Sequence, residues 1–343
     1  MKLQGPFAIG GQSVAAGERR TVDLPMARLY TRSEVTVPVH VVHGRQPGPT
    51  LFLSSTIHGD EINGVEIIRR LLRSRTLGRL RGTLLAIPVV NPFGFIQRSR
   101  YLPDRRDLNR CFPGSPQGSL ASRLAHLFME EIVRRCTHGI DFHTGSNFRS
   151  NLPQIRASLD DQETQRLAMA FGAPMVIHSE LRDGSLRAAV ADEGIPVLLY
   201  EGGEALYFSH AAIRIGVRGV LNVMRAIGML PPGRKRARPD PVISRRTSWI
   251  RAGMSGLFER RVALGSLVRK GGLLGVLSDP LGDETREVRA PFTGVVIGQT
   301  NLPLAYEGDA LVNLALVEDA GEAEDVLDGF SSELTEDDFS LER

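Results

Sequence analysis

The segment TLFLSSTIHGDE at residues 50–61 constrains this chain most. Leu51 to Ile57 is a continuous apolar and β-branched run, the pattern of a strand buried on both faces, and such strands occur in parallel sheets covered by helices. The residues after it are polar. NGVEIIRRLLRSR, starting at Asn63, places Val65, Ile68, Leu71 and Leu72 on one helical face and arginines on the other. The order is therefore strand, loop, helix, with His58 and Glu61 in the loop at the strand's carboxyl end. Open α/β sheets place their ligands at that edge.

The same alternation continues along the chain. EVTVPVHVVH at 34–43 reads as an early strand and LLAIPVVNP at 84–92 as another. A Gly/Pro/Arg-rich stretch from Phe93 to Gly118 reads as a long loop, and loops beyond about 12–15 residues are usually functional or disordered. Helices are predicted over 119–136, 160–171, 185–194 and 209–228. Strands are predicted at 140–143, in PMVIHS and in PVLLYEGGE. Strands and helices trading places predict an α/β sheet flanked by helices on both faces. LPPGRKRARPDP then marks a linker, with short strands punctuated by glycine beyond it. The predicted organisation is a catalytic domain at 1–232, a linker at 233–244, a small β domain at 245–318 and an acidic, disordered tail at 319–343.

Composition narrows the function classes. Length 343 favours two domains, and the 42% hydrophobic and 24% charged content suits a globular fold. No apolar run reaches the roughly 18–20 residues that span a bilayer, and the N-terminus lacks a signal-like apolar core, so a cytoplasmic protein without a membrane partner is expected. Cys111 and Cys136 are the only cysteines, which excludes a disulfide framework and fits reduced thiols. The net charge of +3 conceals a tail near −10 and a body near +13. That body attracts anionic ligands. Dispersed arginines and 6% aromatic residues argue against nucleic acid as the partner.

His58 and Glu61, three residues apart, can converge on one cation, and His143 in DFHTG ends another predicted strand 82 residues after Glu61. Two imidazoles and a carboxylate form the ligand set of a catalytic zinc site with an open fourth position. Zinc, one ion per chain, is the metal this set suggests.

The motifs TxHGDE, NPFGF, DLNRCFPG and DFHTG together resemble the succinylglutamate desuccinylase/aspartoacylase family, relatives of the zinc carboxypeptidases, across roughly residues 30–320. The resemblance implies a carboxypeptidase-like α/β/α sandwich with a mixed sheet. It also implies a zinc-dependent hydrolase of linear amides, acting on carbon–nitrogen bonds other than peptide bonds and deacylating a small anionic N-acyl amino acid. Under it His58, Glu61 and His143 become the zinc ligands, and Glu201 in YEGGE matches the catalytic glutamate. A carboxylate there removes a proton from water and passes it to the leaving amine. Glu204, three residues further along a glycine turn, is the weaker candidate.

Asn109 and Arg110 match the family pair that holds a substrate carboxylate, a task suited to a guanidinium fork. Arg100 is the candidate for stabilising the oxyanion. RYLPDRRDLNR is about two residues longer than the aspartoacylase form, which leaves Arg105 and Arg106 as alternatives. Asp107 either orients Arg110 or caps a turn, and Cys111 reads as a packed thiol. The C-terminal repeat of VRKGG and VRAPFTG resembles a biotinyl/lipoyl half-barrel. LGDETRE between its halves holds no lysine and Lys270 precedes the hairpin, so covalent lipoylation or biotinylation is not expected. Shaping one wall of the active site or an oligomer contact is its expected role. Two other functions fit the same residues: a carboxypeptidase-type peptidase, and a metal-binding protein of this fold without catalysis.

Overall fold

The computed structural model describes residues 3–233 and 240–335. Its main sheet is mixed, and the strand Gln46–Ser55 sits near the centre between Arg81–Ile87 and His138–Gly145, both parallel to it. Val197–Glu204 extends the sheet beside His138–Gly145, also parallel, and Arg149–Ala157 comes next, antiparallel. On the other side lies a long antiparallel hairpin, Arg19–Arg28 with Glu34–His43, whose second strand pairs with Arg81–Ile87.

Helices cover both faces, as the alternation predicts. The helices Asn63–Arg73, Gln162–Phe171 and His210–Ala226 bury Ile67, Ile68, Phe171, Ile213 and Val223 against one face. Leu120–Glu131 and Leu186–Asp192 bury Leu124, Phe128, Leu186 and Val190 against the other, where Phe52 meets Phe128 edge to face. These two clusters hold most of the large buried side chains and fix the sheet whose carboxyl edge carries the site.

The C-terminal strands are joined to this sheet rather than hung from it. Gly294–Thr300 pairs antiparallel with Arg149–Ala157 through Gly298 and Asn151, and Ala310–Leu316 and Thr247–Arg251 continue outward. A second, four-stranded sheet of Gly256–Arg260, Leu273–Ser278, Thr285–Arg289 and Leu304–Ala305 packs over them around Phe258, Leu274, Leu277, Val296 and Leu311. Val295 and Ile297 share a further cluster with Leu152, Met175 and Ile177 of the strands Arg149–Ala157 and Met175–His178. That shared burial ties the two parts together.

Three segments differ from the sequence reading. Part of the expected linker, Val242–Ser244, is a strand parallel to Met175–His178, while residues 234–239 lie outside the described residues. The long loop contains the short helix Pro92–Gln97 and a 3₁₀ turn at Leu108–Arg110. The acidic tail is a helix over Ala320–Thr335, correcting the expectation of disorder there; residues 336–343 lie outside the described residues. The reason is spacing: Ala323, Val326, Leu327 and Phe330 fall on one face and are buried. Among the described residues no helix is long and apolar enough to cross a membrane.

Candidate active site

Chain geometry brings His58 and Glu61 to the sheet edge. After Ser55 the chain turns at Thr56, whose φ of 53° is left-handed, a conformation costing about 1–3 kcal/mol for such a residue. Backbone bonds from Val90 and Asn91 to the carbonyls of Ser55 and Thr56 hold it there. Gly59 is required by a close approach, since a Cβ at this position would lie 1.9 Å from the backbone of Gly94. The HGDE and NPFGF segments are thus pressed together. Glu61 lies just before the helix Asn63–Arg73, where a carboxylate is favoured by the helix dipole.

His143 ends the neighbouring parallel strand, and ligand atoms of His58, Glu61 and His143 all lie within 4.8 Å of one another. All three residues are buried. Glu61 lies between the rings, with Oε1 2.8 Å from His58 Nδ1 and Oε2 2.8 Å from His143 Nδ1. Each ring's other nitrogen is held by a carboxylate: His58 Nε2 by Asp107 at 3.1 Å, and His143 Nε2 by Asp141 at 2.7 Å. Ser54 donates to the second oxygen of Asp141 at 2.7 Å. Carboxylate-held imidazoles are the usual outer shell of a metal site, because they fix the ring and direct its free nitrogen at the ion.

The electrostatics agree. Burial alone would raise the Glu61 carboxyl, but the two imidazoles overturn that and hold it well below the ordinary carboxylate range. Burial would lower His143, yet Asp141 and Glu61 raise it well above its usual value. Three carboxylates around two rings favour positive charge between them, and a divalent cation meets that demand as well as protons do. The donor set therefore fits a metal ion.

Glu201 is in register with His143 on the adjacent parallel strand. Beyond it the register shifts, and Gly203 takes a φ of 78° with no room for a side chain, since a Cβ would meet Asn63 Nδ2 at 2.5 Å. Asn63 fixes this turn by donating to Gly202 O and accepting from Ser209 N. Burial raises the Glu201 carboxyl, opposed by Arg156 and His143, and Asn151 donates to its Oε2 at 2.8 Å. Glu204 faces elsewhere, accepting from Ser150 at 3.2 Å, and does not line the pocket.

All seven residues singled out from the sequence line one cavity of about 300 Å³: His58, Glu61, His143, Glu201, Arg100, Asn109 and Arg110. Of the three arginines considered for the oxyanion, only Arg100 reaches this cavity. Asp107 holds it with bonds of 2.9 and 3.2 Å, and Arg105 and Arg106 are exposed. Asp107 caps the turn through Asn109 N and braces His58 and Arg100. Asn109 is anchored through its side-chain carbonyl to Leu186 N, whereas Arg110 stands at the exposed rim. Cys111 donates to the Asp107 carbonyl and burial pushes its thiol up, which suits a packed side chain.

Other residues of the site, Asp141 behind His143 and several that line the cavity, escape the sequence reading. Asp141 is legible in principle, because it lies two residues before His143 on a strand and hence on the same face. Asn151 and Arg156 come from the unpredicted strand Arg149–Ala157, Arg187 from the start of a helix, and Trp249 from the C-terminal strands. Trp249 stacks under Arg149, 5.3 Å from the guanidinium carbon to the ring. Arg187 is buried, donates to Ser179 at 3.0 Å, and is pushed down to about 10 by burial and by Arg156.

Fold and site together define an α/β protein with a buried imidazole–carboxylate–imidazole cluster at the carboxyl edge of its sheet. Residues 47–227 match the succinylglutamate desuccinylase/aspartoacylase catalytic domain, and the chain belongs to that family. It is 29% identical over 297 residues, 82% of this chain and 86% of the relative, to N-alpha-acetyl-L-2,4-diaminobutyric acid deacetylase of Halomonas elongata. With succinylglutamate desuccinylase of Pseudomonas aeruginosa the match is 29% over 192 residues, 53% of this chain and 52% of that protein. Among solved structures, a succinylglutamate desuccinylase/aspartoacylase from Rhodobacter sphaeroides superposes with a TM-score of 0.78 at 27% identity, covering 88% of this chain and 95% of the other. The product-bound ectoine utilization protein EutE from Ruegeria pomeroyi superposes with a TM-score of 0.79 at 26% identity, covering 92% and 99%.

Proposed function

We propose that this protein is a zinc-dependent deacylase of N-acyl amino acids, hydrolysing the amide by water with Glu201 as general base. One observation carries the reading: the His58, Glu61 and His143 donors converge within 4.8 Å in the same cavity as Glu201. The deacetylase and desuccinylase relatives support the reaction class. His58, Glu61 and His143 would hold the zinc, which supplies Lewis acidity and an easily deprotonated water.

The chain's own groups do the rest. Asp107 and Asp141 keep each ring in one tautomer and orientation. Glu201, raised by burial, stands closer to neutral pH than an ordinary glutamate and is thereby better matched to taking a proton from water and returning it to the leaving nitrogen. Arg100, braced by Asp107, offers N–H donors to the oxygen that gains charge at the attacked carbonyl. Arg110 and Asn109 hold the carboxylate of the amino acid.

A cavity of about 300 Å³ is at the small end of ligand sites and favours a small N-acyl compound over a peptide. The half-barrel-like C-terminal strands serve as a wall of this cavity through Trp249 and carry no covalent group. The partner assigned is a small anionic metabolite, with neither nucleic acid nor membrane involved, and the cytoplasm is the proposed compartment. Turnover of a panel of N-acetyl and N-succinyl amino acids by zinc-loaded protein tests the proposal. Release of the free amino acid from at least one of them is expected, and turnover confined to dipeptides would replace it with the peptidase reading.

A further inference from the structure

A second cavity, of about 860 Å³, opens at the opposite edge of the main sheet. It lies at the amino ends of the strands Gln46–Ser55 and Arg81–Ile87, whereas the catalytic cavity lies at their carboxyl ends. Ten residues of strand at about 3.3 Å each put the two about 30 Å apart. The second cavity shares no lining residue with the first.

Five guanidiniums line it: Arg19, Arg45, Arg79, Arg81 and Arg225. None of the five is in an ion pair among the described residues. Where their side chains bond, the partners are neutral, Arg19 to the Leu72 carbonyl and Arg225 to Asn222. The one carboxylate in the lining, Glu18, is already engaged, 2.7 Å from Arg20 and accepting from Ala15 N. Elsewhere on this arginine-rich surface guanidiniums do find carboxylates, as Arg69 and Arg70 find Glu66, and Arg134 finds Glu193. Five like charges around one cavity repel one another, and a bound polyanion relieves that repulsion with bidentate contacts.

Two further features shape the ligand. Pro231 and Pro232 give one side of the mouth an apolar surface, with Leu77, Leu80 and Leu230 buried in the core behind it. Gly78 has no positive φ, and a Cβ there would meet nothing within 4 Å. Neither backbone strain nor crowding calls for glycine at 78, which costs stability in a helical turn; its effect is to keep the cavity open beside Arg79. An inorganic anion would leave the two prolines without a partner, and a carboxylate would neutralise one charge of five.

We propose that this arginine-lined cavity is a binding site for a nucleoside polyphosphate, with the phosphates on the Arg79 and Arg81 side and the base against Pro231 and Pro232. The site is independent of the catalytic reading. A volume of this size accommodates a nucleotide, and the fork geometry of arginine suits phosphate oxygens.

Isothermal titration of the zinc-loaded full chain with ATP, pyrophosphate, adenosine and a single-stranded oligonucleotide tests it. ATP is expected to bind one to one, with pyrophosphate at least tenfold weaker and adenosine weaker still. Arg79→Ser combined with Arg81→Ser removes two exposed guanidiniums at small cost to folding, and each lost charge-assisted contact is worth about tenfold or more in affinity. Gly78→Leu leaves every charge in place but fills the opening, and it too is expected to weaken ATP by at least tenfold. Arg110→Ala, in the other cavity, leaves ATP binding unchanged. Four results overturn the proposal: no binding of ATP, ATP binding untouched by the double substitution, loss of ATP binding in Arg110→Ala, or an oligonucleotide that outcompetes ATP at equal phosphate concentration.

Discussion

Replacing Asn151 by alanine tests whether Glu201 works as the base. Asn151 donates 2.8 Å to Glu201 Oε2, a bond that favours the ionised carboxylate. Burial already pushes the Glu201 carboxyl up, and Arg156 pulls it down. Losing a hydrogen bond to a charged group is worth about 1.5–3 kcal/mol, and each pH unit corresponds to about 1.36 kcal/mol, which bounds the rise at about one to two units. Glu201 keeps some contact with solvent, so water replaces part of the lost bond and about one unit is expected. The base acts when ionised, so activity falls as pH drops through its pKa. The acid limb of kcat/KM against pH should therefore move about one unit upward in Asn151→Ala, giving roughly tenfold less activity on that limb and near-equal activity at higher pH. A uniform loss at every pH, or a limb that does not move, would refute a base at Glu201 tuned by Asn151.

Further expectations concern other parts of the molecule. Asp141→Asn leaves His143 without its carboxylate, and zinc affinity measured by chelator competition should fall about 10- to 100-fold; unchanged affinity would remove Asp141 from the metal's support. Arg110→Ala should raise KM at least tenfold for a free-acid substrate and much less for its amide, with Arg110→Lys failing to rescue because an ammonium lacks the planar fork. Equal effects on acid and amide would end the carboxylate role. Phe330→Ala should cost about 3–5 kcal/mol in urea unfolding, since Phe330 is 2% exposed in the tail helix. A cost near zero would contradict the packing of that helix.

Residues that act where the chain turns at strand ends are the legible ones. His58, Glu61, His143 and Glu201 each come after or end an apolar run, so position and chemistry coincide in the sequence. The strand Arg149–Ala157 is hidden because Pro153 and a polar composition argue against a strand, yet it carries Asn151 and Arg156 and bridges to the C-terminal strands. In the edge strand Arg19–Arg28, Val22, Leu24 and Met26 alternate inward, a legible signal that the surrounding arginines and Pro25 obscure. The tail misleads through its charge: net acidity masks four apolar residues at helical spacing that find a partner only in the folded core. Trp249 and Arg187 cannot be placed by local pattern, because nothing near them in sequence points to a pocket assembled from distant segments.

Zinc content of the wild-type chain and three variants tests the central claim most directly. The wild-type chain and Glu201→Gln should each retain one zinc per chain after dialysis, whereas His58→Ala and His143→Ala should lose it, because two protein donors hold the ion too weakly. Glu201→Gln should at the same time hydrolyse the N-acyl substrate slower by a factor on the order of 10² to 10⁴. Zinc retained by His58→Ala or His143→Ala, or lost from Glu201→Gln, would contradict the assignment of His58, Glu61 and His143 as ligands and Glu201 as base.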